Sequence, residues 1–133
     1  MTYVVDCSIV IRLLASQEGD DLLRQRLARI VHAPALIDAG VSSVVHGLAI
    51  TSKPTQITVG RASEMLADYA GLRIARHAMQ PLQPRVFELR HNFTAYDAMY
   101  VVLAETLGLP LLTDDGKFDG TRGHRAEIHH YPD

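Results

Sequence analysis

Short apolar runs alternate along this chain with longer segments in which apolar residues recur every three or four positions. The short runs predict buried β-strands, and the longer segments predict amphipathic helices. The predicted strands are TYVVD, IVHA, LRIARH, PLLTDD and AEIHHY, at residues 2–6, 30–33, 72–77, 110–115 and 126–131. Because strands and helices alternate over most of the chain, we expect an α/β fold, a three-layer α/β/α domain with a mainly parallel central sheet.

The ends of the predicted helices carry residues that commonly cap helices. Asp20, Thr55 and Thr94 are candidate N-caps, because their short side chains can accept a hydrogen bond from the first helical turn. Gly71 and Gly108 suit the C-terminal ends of two helices. The predicted helices cover residues 7–16, 20–30, 34–50, 55–70, 84–91 and 94–107.

The composition is that of an ordinary globular protein. The chain has 133 residues, of which 47% are hydrophobic and 21% are charged, so it is long enough to bury a core. No run approaches the roughly 20 apolar residues that span a bilayer, so we expect the protein in the cytoplasm. We expect a single domain over residues 1–133. The net charge of −2 argues against nucleic-acid binding through overall positive potential. The chain has a single cysteine, Cys7, so an intramolecular disulfide cannot form.

Aspartates mark the ends of two predicted strands and the start of one predicted helix. Asp6 ends the first strand, and Asp114 and Asp115 follow the apolar run LPLLT. Asp97 lies in the first turn of the helix that begins at Thr94. Since the carboxyl ends of parallel strands meet at one edge of a sheet, we expect these carboxylates to lie together. Clustered carboxylates repel one another unless a cation lies among them, so the sequence predicts a site for Mg²⁺ or Mn²⁺.

The same residues could have ordinary structural roles. Asp6 could cap the helix that follows it, a role compatible with metal binding. One of Asp114 and Asp115 could be only a turn residue before Gly116. Asp119 is either an outer ligand or a solvated side chain. The seven histidines show no zinc-like spacing.

Four segments of the chain resemble the PIN-domain toxins of the VapC group, the nuclease halves of bacterial and archaeal toxin–antitoxin pairs. They are VVDCSIVIRLL, HAPALIDAGVSSVVHGL, TAYDAMYVVLAETLGLPLLTDD and KF. The resemblance implies a single PIN domain and a Mg²⁺- or Mn²⁺-dependent endoribonuclease that cuts structured RNA, such as a tRNA or ribosomal loop. It also implies a VapB-type antitoxin as partner and a homodimeric assembly.

The resemblance also assigns roles to individual residues. The first catalytic acid of the family corresponds to Asp6, the third to Asp97 and the fourth to Asp115. These three aspartates are the implied metal ligands. Thr113 and Thr94 match polar positions that border the site in the family.

The second catalytic acid of the family, a helical glutamate, is missing, and the chain has Gly40 at that position. Asp38 does not replace it, because two helical residues rotate the side chain by about 200°. Ser43 lies one turn on but carries no charge. A mid-helix glycine costs roughly 1 kcal/mol relative to alanine, and nothing in the adjacent sequence demands one. We therefore interpret Gly40 as a replacement for a larger residue, in a natural relative or a disarmed toxin, and predict impaired cleavage with an intact fold.

Two other functions stay open at this point. A catalytically silent PIN relative would act by binding its antitoxin and RNA. A phosphatase or phosphoacceptor domain would also need an aspartate at the end of the first strand. Phosphatases of the haloacid-dehalogenase type need a second aspartate two residues later, where this chain has Ser8.

Overall fold

The computed structural model describes residues 1–15, 20–120 and 122–132. The strands are β1 Val4–Val5, β2 Val31–Pro34, β3 Ile74–His77, β4 Leu111–Thr113 and β5 Ile128–His130. They form one five-stranded sheet in the order β3-β2-β1-β4-β5, and every neighbouring pair is parallel. The predicted α/β/α architecture is confirmed, and the sheet is parallel throughout.

Helices cover both faces of this sheet. They are α1 Cys7–Leu14, α2 Asp21–Arg26, α3 Ile37–Ile50, α4 Val59–Ala70, α5 Gln83–Glu88 and α6 Ala95–Leu107. Ser16, the last residue of the first predicted helix, lies outside the described residues. In the described part of the chain, none of the helices combines the length and the apolar character that a membrane span requires.

Helix α6 begins and ends where the sequence predicted. Thr94 Oγ1 accepts a hydrogen bond of 3.2 Å from the backbone N–H of Asp97. Gly108 ends the helix in the left-handed region, with φ of 66°, which glycine adopts without strain. The cap therefore fixes the turn of α6 that carries Asp97.

Two predicted helix starts are wrong. Thr58, and not Thr55, caps α4, because its hydroxyl accepts a 3.0 Å hydrogen bond from the N–H of Arg61. Pro34 ends β2 instead of opening a helix, and α3 begins at Ile37. A proline is tolerated at a strand end because it need not donate a ladder hydrogen bond there.

The central strand of the sheet, β1, and its neighbour β4 are completely buried. Their apolar residues are each 0% exposed: Val4, Val5, Leu111 and Leu112. Apolar runs of this kind are typical of parallel sheets that are covered on both faces. The residues that follow these runs, Asp6 after β1 and Asp114 after β4, consequently lie at the same edge of the sheet.

A buried ion pair joins α1 to the start of α2. The Asp20 side chain is 2% exposed, and Arg12 donates to its carboxylate from Nε and Nη2 at 3.1 to 3.2 Å. Asp20 makes no capping hydrogen bond, so its predicted capping role is wrong. Arg12 Nη1 reaches Asp114 Oδ1 at 3.3 Å, so the same arginine also contacts the end of β4.

Two histidines face each other across β2 and β3. His32 Nδ1 and His77 Nε2 are 2.9 Å apart, and the ring centroids are 5.1 Å apart. One nitrogen must donate and the other accept, so the hydrogen bond is lost when both rings are protonated. Burial, and then the charge of His77, lower the pKa of His32 from its ordinary value of 6.5.

The Arg12→Met substitution is expected to lower the free energy of unfolding by about 3 kcal/mol, because it leaves the buried Asp20 carboxylate without its cation. Arg24→Met is the matched control. Arg24 pairs with the exposed Asp21, and such a pair contributes less than about 1 kcal/mol. Urea unfolding followed by circular dichroism measures both losses. Equal losses would contradict the importance of the buried pair.

Stability is expected to fall as the pH drops through about 6.5, because the unfolded chain then binds a proton at His32 before the folded chain does. His32→Gln should reduce this pH dependence. His46→Gln, at an exposed position of α3, should leave it unchanged. Thermal unfolding at a series of pH values tests the expectation, and an identical dependence in the wild type and His32→Gln would contradict it.

Candidate active site

Asp6 is the buried acid at the centre of the site and is 5% exposed. Its Oδ1 accepts hydrogen bonds from Ser8 Oγ at 2.7 Å and from the N–H of Ile9 at 3.1 Å. Its Oδ2 accepts one from Thr113 Oγ1 at 2.5 Å. The Ile9 contact shows that Asp6 is also the N-cap of α1, as the sequence allowed. Burial raises the pKa of Asp6, and the hydrogen bonds from Thr113, Ser8 and Ile9 oppose part of that rise.

The end of β4 separates the two neighbouring aspartates. Thr113 Oγ1, which donates to Asp6, also accepts a 3.0 Å hydrogen bond from the N–H of Asp115. The Asp114 carboxylate instead contacts Arg12. Asp114 is thus part of the network that joins β4 to α1, whereas the backbone N–H of Asp115 bonds the same hydroxyl that donates to Asp6.

A lysine lies between Asp97 and Asp115. Lys117 Nζ is 2.9 Å from Asp97 Oδ1 and 3.2 Å from Asp115 Oδ2. The backbone N–H of Lys117 also donates to Asp115 Oδ1 at 2.9 Å. This backbone hydrogen bond and the ammonium lower the pKa of Asp115. Burial alone would lower the pKa of Lys117, but the two carboxylates outweigh burial and raise it.

Lys117 was not among the site residues predicted from the sequence. The signal that could have found it is the spacing Asp115-Gly116-Lys117. A tight turn after the strand returns the lysine to the aspartate two residues earlier, and Asp115 caps that turn.

Two secondary site candidates, Thr94 and Asp119, lie at the ends of helical segments. Thr94 acts as the cap of the helix that carries Asp97. Asp119 is exposed and ends the short 3₁₀ turn Gly116–Phe118, in agreement with the solvated alternative.

Gly40 packs against Cys7, a contact that the sequence did not predict. A Cβ atom at position 40 would lie 2.3 Å from Cys7 Sγ, a separation that unbonded atoms do not tolerate. The glycine is therefore required while the thiol holds its present position. Cys7 is half-buried and lies 3.6 Å from the hydroxyl of Tyr100. Burial raises the pKa of the thiol, which keeps it neutral.

Neither Asp38 nor Ser43 places a carboxylate beside Gly40. Asp38 points away, as predicted, because its Oδ1 accepts hydrogen bonds from Tyr69 at 2.6 Å and from Arg76 at 2.9 Å. Ser43 lines the same cavity as Gly40 but contributes only a neutral hydroxyl.

A cavity of about 390 Å³ opens beside these residues. Its polar wall includes Asp6, Asp97 and Lys117. Its apolar wall comes from α6 and the start and middle of α3: Leu36, Ala39, Val44, Tyr96 and Tyr100. Asp6 and Asp97 thus line a space that is open to a ligand.

The donor chemistry of the site suits a hard divalent cation. Asp6, Asp97 and Asp115 offer carboxylate oxygens, which Mg²⁺ and Mn²⁺ prefer. Two of these carboxylates already converge on one positive charge, the Lys117 ammonium. In this arrangement no three His, Cys, Asp or Glu side chains in residues 1–15, 20–120 and 122–132 stand close enough to hold a metal ion. Two of the carboxylates, those of Asp97 and Asp115, fit a cation at the place that the ammonium now holds. The expected cluster of all the acids is not formed among the described residues.

Measurements of stability can test the steric contact between position 40 and Cys7. Gly→Ala within a helix normally stabilises by about 1 kcal/mol. We expect Gly40→Ala to lose this gain in the wild type, because the new methyl group must displace Cys7 Sγ, and to regain it in a Cys7→Ala background. Gly47→Ala is the control on the same helix, where a Cβ meets nothing within 4 Å. Equal stabilisation by Gly40→Ala in both backgrounds, measured by urea unfolding, would refute the steric explanation.

Similarity to known proteins shows which family the chain belongs to. The PIN domain family model matches residues 3–123. Ribonuclease VapC12 of Mycobacterium tuberculosis strain H37Rv is 32% identical over 126 residues, which cover 94% of this chain and 95% of the relative. Ribonuclease VapC3 of the same strain is 37% identical over 114 residues, which cover 84% and 81%.

A solved structure shows the same fold. The crystal structure of PAE2754 from Pyrobaculum aerophilum matches with a TM-score of 0.66 over 96% of this chain and 92% of that chain, at 20% identity. The family model covers most of the chain, and the curated relatives exceed 30% identity over most of its length. The resemblance found in the sequence is confirmed, and the chain belongs to the PIN-domain family and, within it, to the VapC group.

Proposed function

We propose that this protein is the toxin component of a type II toxin–antitoxin system and a Mg²⁺- or Mn²⁺-dependent endoribonuclease with impaired cleavage. The observation that supports this best is the convergence of Asp97 and Asp115 on one cationic position, beside the buried Asp6 and an open cavity. The similarity to proteins named ribonucleases supports the reaction class.

In this proposal Asp6, Asp97 and Asp115 hold the divalent cation. The bound cation supplies a Lewis acid for the phosphodiester and lowers the pKa of water. Asp6 is oriented by Ser8 and Thr113, so its carboxylate cannot rotate away from the site. Thr94 fixes the helical turn that presents Asp97.

The substrate in this proposal is structured RNA, either tRNA or rRNA. Several arginines that could bind its backbone are already paired, such as Arg76 with Asp38 and Arg85 with Glu105. Arg90 is exposed and lines a second cavity together with Thr94, the cap of the helix that carries Asp97. Arg90 also contacts Phe87, and we include it as a candidate to bind an RNA phosphate.

Impaired cleavage follows from the Gly40 position. The site has one carboxylate fewer than the family pattern, and the Cys7 thiol lies where the Cβ of a larger residue would be. The proposal further includes a VapB-type antitoxin as partner, a homodimeric assembly and a cytoplasmic location.

The Cys7 and Lys117 contacts favour a second candidate function. A relative whose acids are already balanced by a lysine could bind its antitoxin and RNA without cutting. Its effect would then come from sequestering RNA, and the cavity beside Asp6 would be a binding surface.

Restoring the acid and making room for it should restore cleavage. We expect Cys7→Ala/Gly40→Glu to cut total tRNA or rRNA in the presence of Mn²⁺ about 10- to 100-fold faster than the wild type, the range over which metal-site residues change activity. Gly40→Glu alone should gain less, because its Cβ must displace Cys7 Sγ. Denaturing gels measure the products.

Two controls accompany this experiment. Cys7→Ala alone should cut no faster than the wild type, and adding Asp97→Asn to the double variant should abolish cleavage. If the folded double variant cuts none of these RNAs, the ribonuclease proposal fails and binding without cleavage becomes the leading function.

A further inference from the structure

Lys117 is the cation around which two acids of the site are arranged. Its ammonium contacts one oxygen of Asp97 and one of Asp115, at 2.9 and 3.2 Å. The lysine is anchored at both ends. Its backbone N–H is held by Asp115, and its Nζ lies 5.4 Å from the ring centroid of Phe118, which is 1% exposed. The ammonium is thus tethered by a short chain to a fixed turn.

An ammonium and a divalent cation cannot share this position. Two positive charges held by the same pair of carboxylates repel each other strongly, because they are separated by only a few ångströms. The oxygens that face the shared position are already engaged by Nζ. A divalent cation can therefore bind Asp97 and Asp115 together only after the lysine side chain moves away.

The glycine at position 40 changes the balance between the two cations. With a glutamate there, the site would have four carboxylates, and one ammonium would leave most of their charge uncompensated. The present site has three, and Asp6 is additionally satisfied by two hydroxyls and a backbone N–H. The smaller negative charge favours the singly charged ammonium over a divalent ion.

We propose that Lys117 is a tethered counter-cation that competes with divalent metal for Asp97 and Asp115. In the resting site of this chain the lysine balances the acids, and metal binds only by displacing it. The inference deepens the proposed function and rests on it in taking Mg²⁺ or Mn²⁺ as the competing ligand.

The test is Mn²⁺ binding to the full chain, measured by electron paramagnetic resonance of free Mn²⁺. Lys117→Met removes the competing charge and should tighten Mn²⁺ binding at least about tenfold. Lys117→Arg keeps a cation and should stay near the wild type. The chain has one other lysine, Lys53, in the exposed segment after α3. Lys53→Met therefore changes the net charge equally and should leave Mn²⁺ affinity unchanged.

Lys117→Gln is the second variant, because it keeps a hydrogen-bond donor for the carboxylates while removing the charge. It should also tighten Mn²⁺ binding. In thermal unfolding, Mn²⁺ should raise the Tm of both neutral variants more than that of the wild type. Unchanged Mn²⁺ affinity in folded Lys117→Met and Lys117→Gln, or equal tightening by Lys53→Met, would overturn the inference.

If the ribonuclease proposal is wrong, the experiments give a different result from the one that overturns the inference about Lys117. Cys7→Ala/Gly40→Glu would then cut no RNA, whatever Mn²⁺ affinities the Lys117 variants have. Tighter binding in the Lys117 variants together with an inactive double variant would support the counter-cation and reject the ribonuclease.

Discussion

Charge balance at the carboxyl edge of a buried parallel sheet is the constraint on which this structure depends. The fold places Asp6 and Asp114 directly after strands whose apolar residues are fully buried, where an uncompensated carboxylate is costly. The negative charge of each acid is compensated by different partners. Hydroxyls and a helix N–H satisfy Asp6, Arg12 contacts Asp114, and Lys117 bridges the other two acids.

The glycine at position 40 is part of a local arrangement. Cys7 directly follows Asp6, and its thiol fills the space next to Gly40. The thiol carries no charge, because burial raises its pKa. A neutral side chain thus fills the space beside position 40, and Lys117 contacts two of the acids nearby.

The sequence predicted the layers, the five strands and the positions of the aspartates, because buried parallel strands and capped helices have local signatures. Thr94 and Gly108 were identified correctly as the ends of α6, since each acts on its own turn. The choice between Thr55 and Thr58 was wrong, because both precede the same apolar pattern and only the folded backbone selects one. The contact between Cys7 and Gly40 joins α1 and α3, which are far apart in the chain. No local sequence pattern can therefore predict it.

Anomalous diffraction from crystals soaked in Mn²⁺ tests the central claim most directly, that a lysine and not a metal balances Asp97 and Asp115 in this chain. The soak should use a Mn²⁺ concentration that saturates the Lys117→Met variant. We expect the wild type to show Lys117 Nζ between the two carboxylates and no manganese peak there, while Lys117→Met shows a peak. A manganese peak bound by Asp97 and Asp115 in the wild type, with Lys117 turned away, would contradict the account.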